Sequence, residues 1–327
     1  MDIAISKQNL ALPPRVRFPG LSSAAFEHPA DRAALEALRR TPGLDRLIKV
    51  IYDMGAERFL RVAFTGDAIR VSPRQCRRVY NDLREACAIL DVDEPELYIT
   101  QSPVPNAFAF GMQRHTIVLT TSAVDLFTDT ERLGVIGHEL GHIKAEHMLY
   151  MTMAHYFAEM LRGLVHDLPL LSKLFTTTLG YGLYAWMRKS ELTADRAEVL
   201  VTQDPDVFVM TTMKLVGGSQ KLMDELNPEE FINQADSLED MEGDFLSLYY
   251  KFLLVAQQTH PFPSLRCREI KEWTQNDQYL KLLRGDYPRT ERDAGNRTCA
   301  NCETVVRNVS FRYCPECGAD LPAPSRE

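Results

Sequence analysis

His138 and His142 stand four residues apart in "ERLGVIGHELGHIKAEHMLY", residues 131–150, and Glu139 directly follows the first of them. On an α-helix this spacing puts the two imidazoles on one face, about 40° and one turn apart. So placed, they can share one Zn²⁺ at about 2.0–2.1 Å. Glu139 can reach a zinc-bound water and act as the general base of a metal-assisted hydrolysis, taking the proton and later delivering it to a leaving amine. In a chain with 8 histidines among 327 residues, chance would supply such an H-E-x-x-H match, counting Asp as Glu, only about 0.03 times.

A catalytic zinc needs a third protein ligand. Glu146 lies about 12 Å of helical rise beyond His138, so one straight helix cannot wrap His138, His142 and Glu146 around one ion. His147 falls on nearly the opposite face of the same helix. The metzincin pattern is excluded, because Ala145 and Met148 stand where it needs glycine and histidine. Further along, "RKSELTADRAEVL" places Glu191 and Asp195 on one face of another helix. Alone, such a pair reads as a solvated acidic face. Joined to the two histidines, Glu191 completes a His₂Glu site and Asp195 becomes an acceptor that fixes a ligating imidazole.

Of seven cysteines, Cys299, Cys302, Cys314 and Cys317 form two C-x-x-C pairs near the C-terminus. Four thiolates in two knuckles are the donor set of a structural zinc ribbon, whose metal supplies folding energy that a short, apolar-poor segment lacks. The chain is thus expected to carry two zinc ions, one catalytic and one structural. Disulfides or redox dithiols are the competing readings of the same cysteines.

Helices must present the histidines and the acidic pair. Thr128 followed by Glu131 is a capping box that starts the H-E-x-x-H helix. That helix contains Gly134, Gly137 and Gly141, at a combined cost on the order of 2 kcal/mol. Such a stripe is explained if the Glu191 helix or a substrate-side strand must approach closely; generic tolerance of glycine is the alternative. Helical periodicity also marks residues 29–62, 73–90, 149–163, 168–202, 205–225 and 243–258. Between them "LYIT", "NAFAFG" and "HTIVLTT" read as strands of a small antiparallel sheet. The fold class is therefore α+β and mostly helical: a zincin-type metalloprotease core with that sheet, plus a small C-terminal zinc ribbon. Domain boundaries are expected at 1–95 for an N-terminal extension and helical layer, 96–285 for the core, 286–298 for a polar linker and 299–323 for the ribbon.

The net charge of −8 is spread along the chain, which argues against a broad electrostatic grip on nucleic acid or an anionic membrane, and no nucleic-acid partner is expected. The N-terminal stretch lacks a signal-peptide apolar run, so a cytoplasmic location is expected. The nearest approach to a membrane span, residues 174–187, is too short for a bilayer. Membrane contact is at most peripheral.

Four ordered signals, "NAFAFG" at 106–111, "HELGH" at 138–142, "ELTAD" at 191–195 and "HPFPSLR" at 260–266, together resemble the HtpX-like family of gluzincin metalloproteases, whose wider group includes the CAAX prenyl proteases. The resemblance implies that His138, His142 and Glu191 bind zinc and that Glu139 is the catalytic base. It implies that the strand at Asn106, Ala107 and Phe108 pairs with an extended peptide or protein substrate, and that His260 and Arg266 face the developing oxyanion. Many relatives carry hydrophobic membrane hairpins that this chain lacks, so a soluble or peripheral branch is expected. The expected activity is that of a zinc metalloendopeptidase on extended or unfolded segments, with the ribbon as an appendage for a protein partner. A zinc-stabilised adaptor with an idle protease fold is the alternative.

Overall fold

A computed structural model describes residues 15–41, 44, 56–111, 114–153, 170–218, 220–240, 261–290, 297–306, 313–314 and 317–321. The mostly helical α+β class is borne out. Helices α1 (Pro29–Arg39) and α2 (Ala56–Asp67) precede strand β1 (Ile69–Arg70) and helix α3 (Arg77–Leu90). Strands β2 (Glu96–Thr100), β3 (Ala107–Phe110) and β4 (Thr116–Thr120) lead into helices α4 (Thr121–Leu126) and α5 (Asp129–Lys144). Helices α6 (Leu170–Thr202), α7 (Pro205–Gly217), α8 (Pro228–Asp240), α9 (Pro263–Thr274) and α10 (Asp277–Leu283) follow, then a hairpin of β5 (Arg297–Thr298) and β6 (Val305–Val306).

The sheet departs from the expectation in one respect. Its order is β1-β2-β4-β3, with β2 and β4 parallel and the other two pairs antiparallel. Every residue of β4 is buried, and such a continuous buried run belongs in the middle of a sheet. β3 is only half-buried at Ala107 and Phe108 and takes the edge, so residues 101–106 carry the chain past the central position before β4 returns to fill it.

Helix boundaries follow local chemistry. The periodicity over 29–62 is interrupted where α1 ends before Pro42, a residue that disfavours helix in its predecessor. The helix foreseen over 205–225 stops at Gly217, and residues 220–225 form a 3₁₀ turn. Helix α8 was not foreseen; of the segment 149–163 only the part to residue 153 is described, and 243–258 lies outside the described residues.

Helix α5 runs through the core antiparallel to α6. The foreseen capping box is present: Thr128 accepts from the Glu131 amide, and Glu131 accepts from the Thr128 amide. The glycine stripe faces α6. A Cβ on Gly137 would stand 2.8 Å from Val201, and one on Gly141 would stand 2.6 Å from the Ala197 Cβ and 3.1 Å from the Ala194 Cα. The glycines therefore let two helix backbones approach at the level of His138, His142, Glu191 and Asp195.

Leu183, Trp186 and Met187, from the apolar segment 174–187, pack on Leu35, Leu38, Tyr150 and Met153. Among the described residues no helix is long and apolar enough to cross a membrane. Within the stretch anticipated as a linker, residues 288–290 hydrogen-bond to Gly20 and Ser22. Near the cysteines, Tyr313 stacks edge-on against Tyr80 of α3 at 5.6 Å.

Candidate active site

Two buried imidazoles and a buried carboxylate converge where α5 meets α6. The Glu191 Oε1 lies 3.3 Å from the His142 Nε2, and its Oε2 lies 3.5 Å from the His138 Nε2. His138 turns its other nitrogen to Asp195, at 3.1 Å from Oδ1. Asp195 is in turn gripped by Arg266 of α9, which donates through Nε at 2.8 Å and through its terminal nitrogen at 2.5 Å. The same guanidinium stands 3.6 Å from Glu191.

These contacts set the charges. Burial pushes His142 down to about 4, so it is neutral and able to ligate. Burial also opposes charge on His138, but Asp195 and Glu191 outweigh it and raise its pKa well above the ordinary histidine value. The field at its ring therefore favours a positive charge. Asp195 stays below the ordinary carboxylate range, because the Arg266 pair and His138 overcome its desolvation. Glu198, also buried and 3.8 Å from the His138 Nδ1, is pushed up to about 8 by desolvation.

Two atoms bound at 2.0–2.1 Å to one tetrahedral ion lie about 3.3–3.4 Å apart. The separations of 3.3 and 3.5 Å around Glu191 fit that geometry. The four cysteines give a second fit. Their sulfurs approach in pairs, Cys299 with Cys317 at 3.6 Å and Cys302 with Cys314 at 3.5 Å, close to the ~3.8 Å expected for thiolates on one zinc. The thiols are free rather than bridged, and hydrogen bonds from Asn301 and the Ala319 backbone lower Cys317 to about 6.

A cavity of about 600 Å³ opens over the His138 and Glu191 cluster, lined also by Glu139, Asn106, Ala107, Phe262 and Arg266. Asn106 and Ala107 thus meet the cluster at the edge-strand wall. Phe108, alternating to the other face, packs on Phe64 of α2. His260 lies outside the described residues.

Sequence reasoning missed three buried residues here: Glu198, Asp31 and His147. His147 was set on the far face by assuming that the helix continues. Instead α5 ends at Lys144 and Glu146 takes a left-handed φ of 59°. That turn swings His147 back until its Nδ1 lies 3.0 Å from the His142 Nδ1. The signal was slight, since glutamate seldom marks such a turn.

Residues 72–274, more than half of the chain, match the model of peptidase family M48. The chain belongs to peptidase family M48. It is 37% identical to the plastoglobule-localized metallopeptidase 48, chloroplastic, of Arabidopsis thaliana over 84% of this chain and 79% of that one. It is 27% identical to protease HtpX homolog 2 of Methanosarcina acetivorans over 71% of this chain and 85% of that protein. A protease HtpX homolog of Moorella thermoacetica is 26% identical over 54% and 65%, respectively. The HtpX-like resemblance is borne out, and this M48 member is a metalloprotease, a metal-binding enzyme acting on peptide or protein substrates. The cytoplasmic expectation is corrected: the Arabidopsis relative is described as plastoglobule-localized and chloroplastic, not cytoplasmic. The absence of an N-terminal signal pattern was too weak a guide to compartment.

Proposed function

We propose that this M48 protein is a zinc metalloendopeptidase in which His138, His142 and Glu191 hold the catalytic ion. The observation that carries the reading is the Glu191 carboxylate spanning both Nε2 atoms at 3.3 and 3.5 Å. When bound, zinc supplies Lewis acidity and lowers the pKa of a water to about 7. Glu139, on the cavity wall beside His138, takes a proton from the attacking water and delivers it to the leaving amine. Asp195 holds the His138 ring by accepting at Nδ1, which leaves Nε2 free to ligate. Arg266, held by Asp195, keeps a permanent cation on the cavity wall, suited together with His260 to the developing oxyanion.

An extended or unfolded peptide segment adds to the edge strand at Asn106, Ala107 and Phe108, where main-chain hydrogen bonds give affinity with little demand on sequence. Residues 96–285 make up the catalytic core, with 1–95 as a helical layer, 286–298 as linker and 299–323 as a Cys₄ zinc ribbon. The ribbon holds the second, structural zinc and offers a surface to a protein partner. Casein digestion by the wild type and by Glu139→Gln tests the enzyme: the variant should retain its metal and lose at least about a hundredfold in rate. Equal behaviour of the two proteins would support the adaptor instead.

A further inference from the structure

We propose that His147 and Asp31 are positioning residues that fix the tautomer of His142 and tie the metal centre to helix α1. The inference rests on the zinc reading above. His142 presents Nε2 to Glu191 at 3.3 Å. To ligate through that atom it must carry its ring proton on Nδ1, which lies 3.0 Å from the His147 Nδ1. His147 must then accept there, so a neutral His147 keeps its own proton on Nε2. That nitrogen stands 3.0 Å from the Asp31 Oδ2.

Asp31 is itself held on both oxygens. The Trp186 indole donates to Oδ1 at 3.0 Å, and the Thr193 hydroxyl donates to Oδ2 at 2.5 Å. His142, His147 and Asp31 are 1%, 0% and 0% exposed, so water does not offer an easy substitute partner. Two hydrogen-bond donors and the His147 Nε2, in ion-pair contact rather than an aligned hydrogen bond, thus lie within 3.0 Å of one carboxylate, and only an acceptor-only group suits all three. Every proton in the row has one place, and that arrangement leaves the His142 Nε2 bare. An outer carboxylate fixing a ligating histidine is a general device; here it acts through a second imidazole and comes from the N-terminal layer.

The rival explanation is a buried polar network that only stabilises the fold. Asp31→Asn separates the two, because the amide keeps the shape but turns a donor toward the row. With an N–H facing it, His147 would accept at Nε2 and donate from Nδ1, and His142 would then carry its proton on Nε2, where zinc should bind.

Zinc affinity of the full-length protein, measured by competition with a chromophoric chelator, gives the test. Glu191→Gln identifies which binding step belongs to this site. Asp31→Asn and His147→Leu should weaken that step ten- to a hundredfold. His147→Gln, whose carbonyl can accept from His142 while its amide donates to Asp31, should restore it to within about threefold. Nitrogen-15 spectra should show His142 protonated at Nδ1 in the wild type and the proton displaced to Nε2 in metal-free Asp31→Asn. Wild-type affinity and tautomer in Asp31→Asn, or His147→Gln as weak as His147→Leu, would overturn the proposal. Unchanged zinc binding in Glu191→Gln would overturn the underlying zinc reading, and this proposal with it.

Discussion

The His138, His142 and Glu191 cluster hangs from two long helices that cross the largest hydrophobic cluster among the described residues, which includes Leu140, Ala197 and Leu200. The four cysteines sit on turns beside a two-stranded hairpin, where their own apolar cluster amounts to Cys299, Cys314 and Leu321. Both regions gather donor atoms at metal-ligand spacing, but what gathers them differs. In the first, glycine-to-alanine packing of α5 on α6 fixes the backbones, so the donor side chains converge because the core folds. In the second, the described residues meet the rest of the molecule at a few places such as Tyr313 against Tyr80 and Gly318 beside Pro73, and a shared ion would supply much of the order. A site built by packing can keep an open position for chemistry, while a site built by its metal is best closed.

Complete removal of metal has the largest expected effect and sharpens this contrast. Proteolysis should vanish and residues 297–321 should become sensitive to added protease, while the helical circular dichroism signal stays close to its starting value. Parallel loss of the helical signal would mean that metal, not packing, assembles the α5 and α6 pair.

Next in size is Gly141→Ala. The added methyl would stand 2.6 Å from the Ala197 Cβ, and relieving the overlap should cost about 1–3 kcal/mol, read as a lower melting temperature. Zinc retention should fall with it, because His142 is the next residue. An unchanged melting temperature would remove packing from the account.

Cys302→Ser should have a smaller effect on catalysis. The variant should lose protection of the C-terminal segment against added protease yet digest casein at close to the wild-type rate; a large loss of rate would join the two regions functionally. Smallest is Gly66→Ala, where nothing lies within 4 Å of the added methyl. Removing a helical glycine from such an open surface should raise stability by about 0.5–1 kcal/mol in denaturant unfolding.

The His138, Glu139 and His142 spacing was legible in the sequence because one helix carries all three and a capping box marks its start. Glu191 and Asp195 were legible by the same periodicity, and the glycine stripe foretold a close neighbour. The relation of the sheet strands was less accessible, since a burial run such as "TIVLT" tells that a strand is central but not which neighbour it runs beside. His147 was misplaced because periodicity assumes an unbroken helix, and the turn at Glu146 lacks the glycine that would announce it. Asp31 and Glu198 could not be foreseen, as their partners lie far away in sequence and only the folded packing unites them.

The most direct test is the zinc count of the intact chain by native mass spectrometry, for the wild type and for His138→Ala with His142→Ala. The account predicts two zinc ions in the first protein and one, held by the cysteines, in the second. Two ions remaining in the double variant would contradict it.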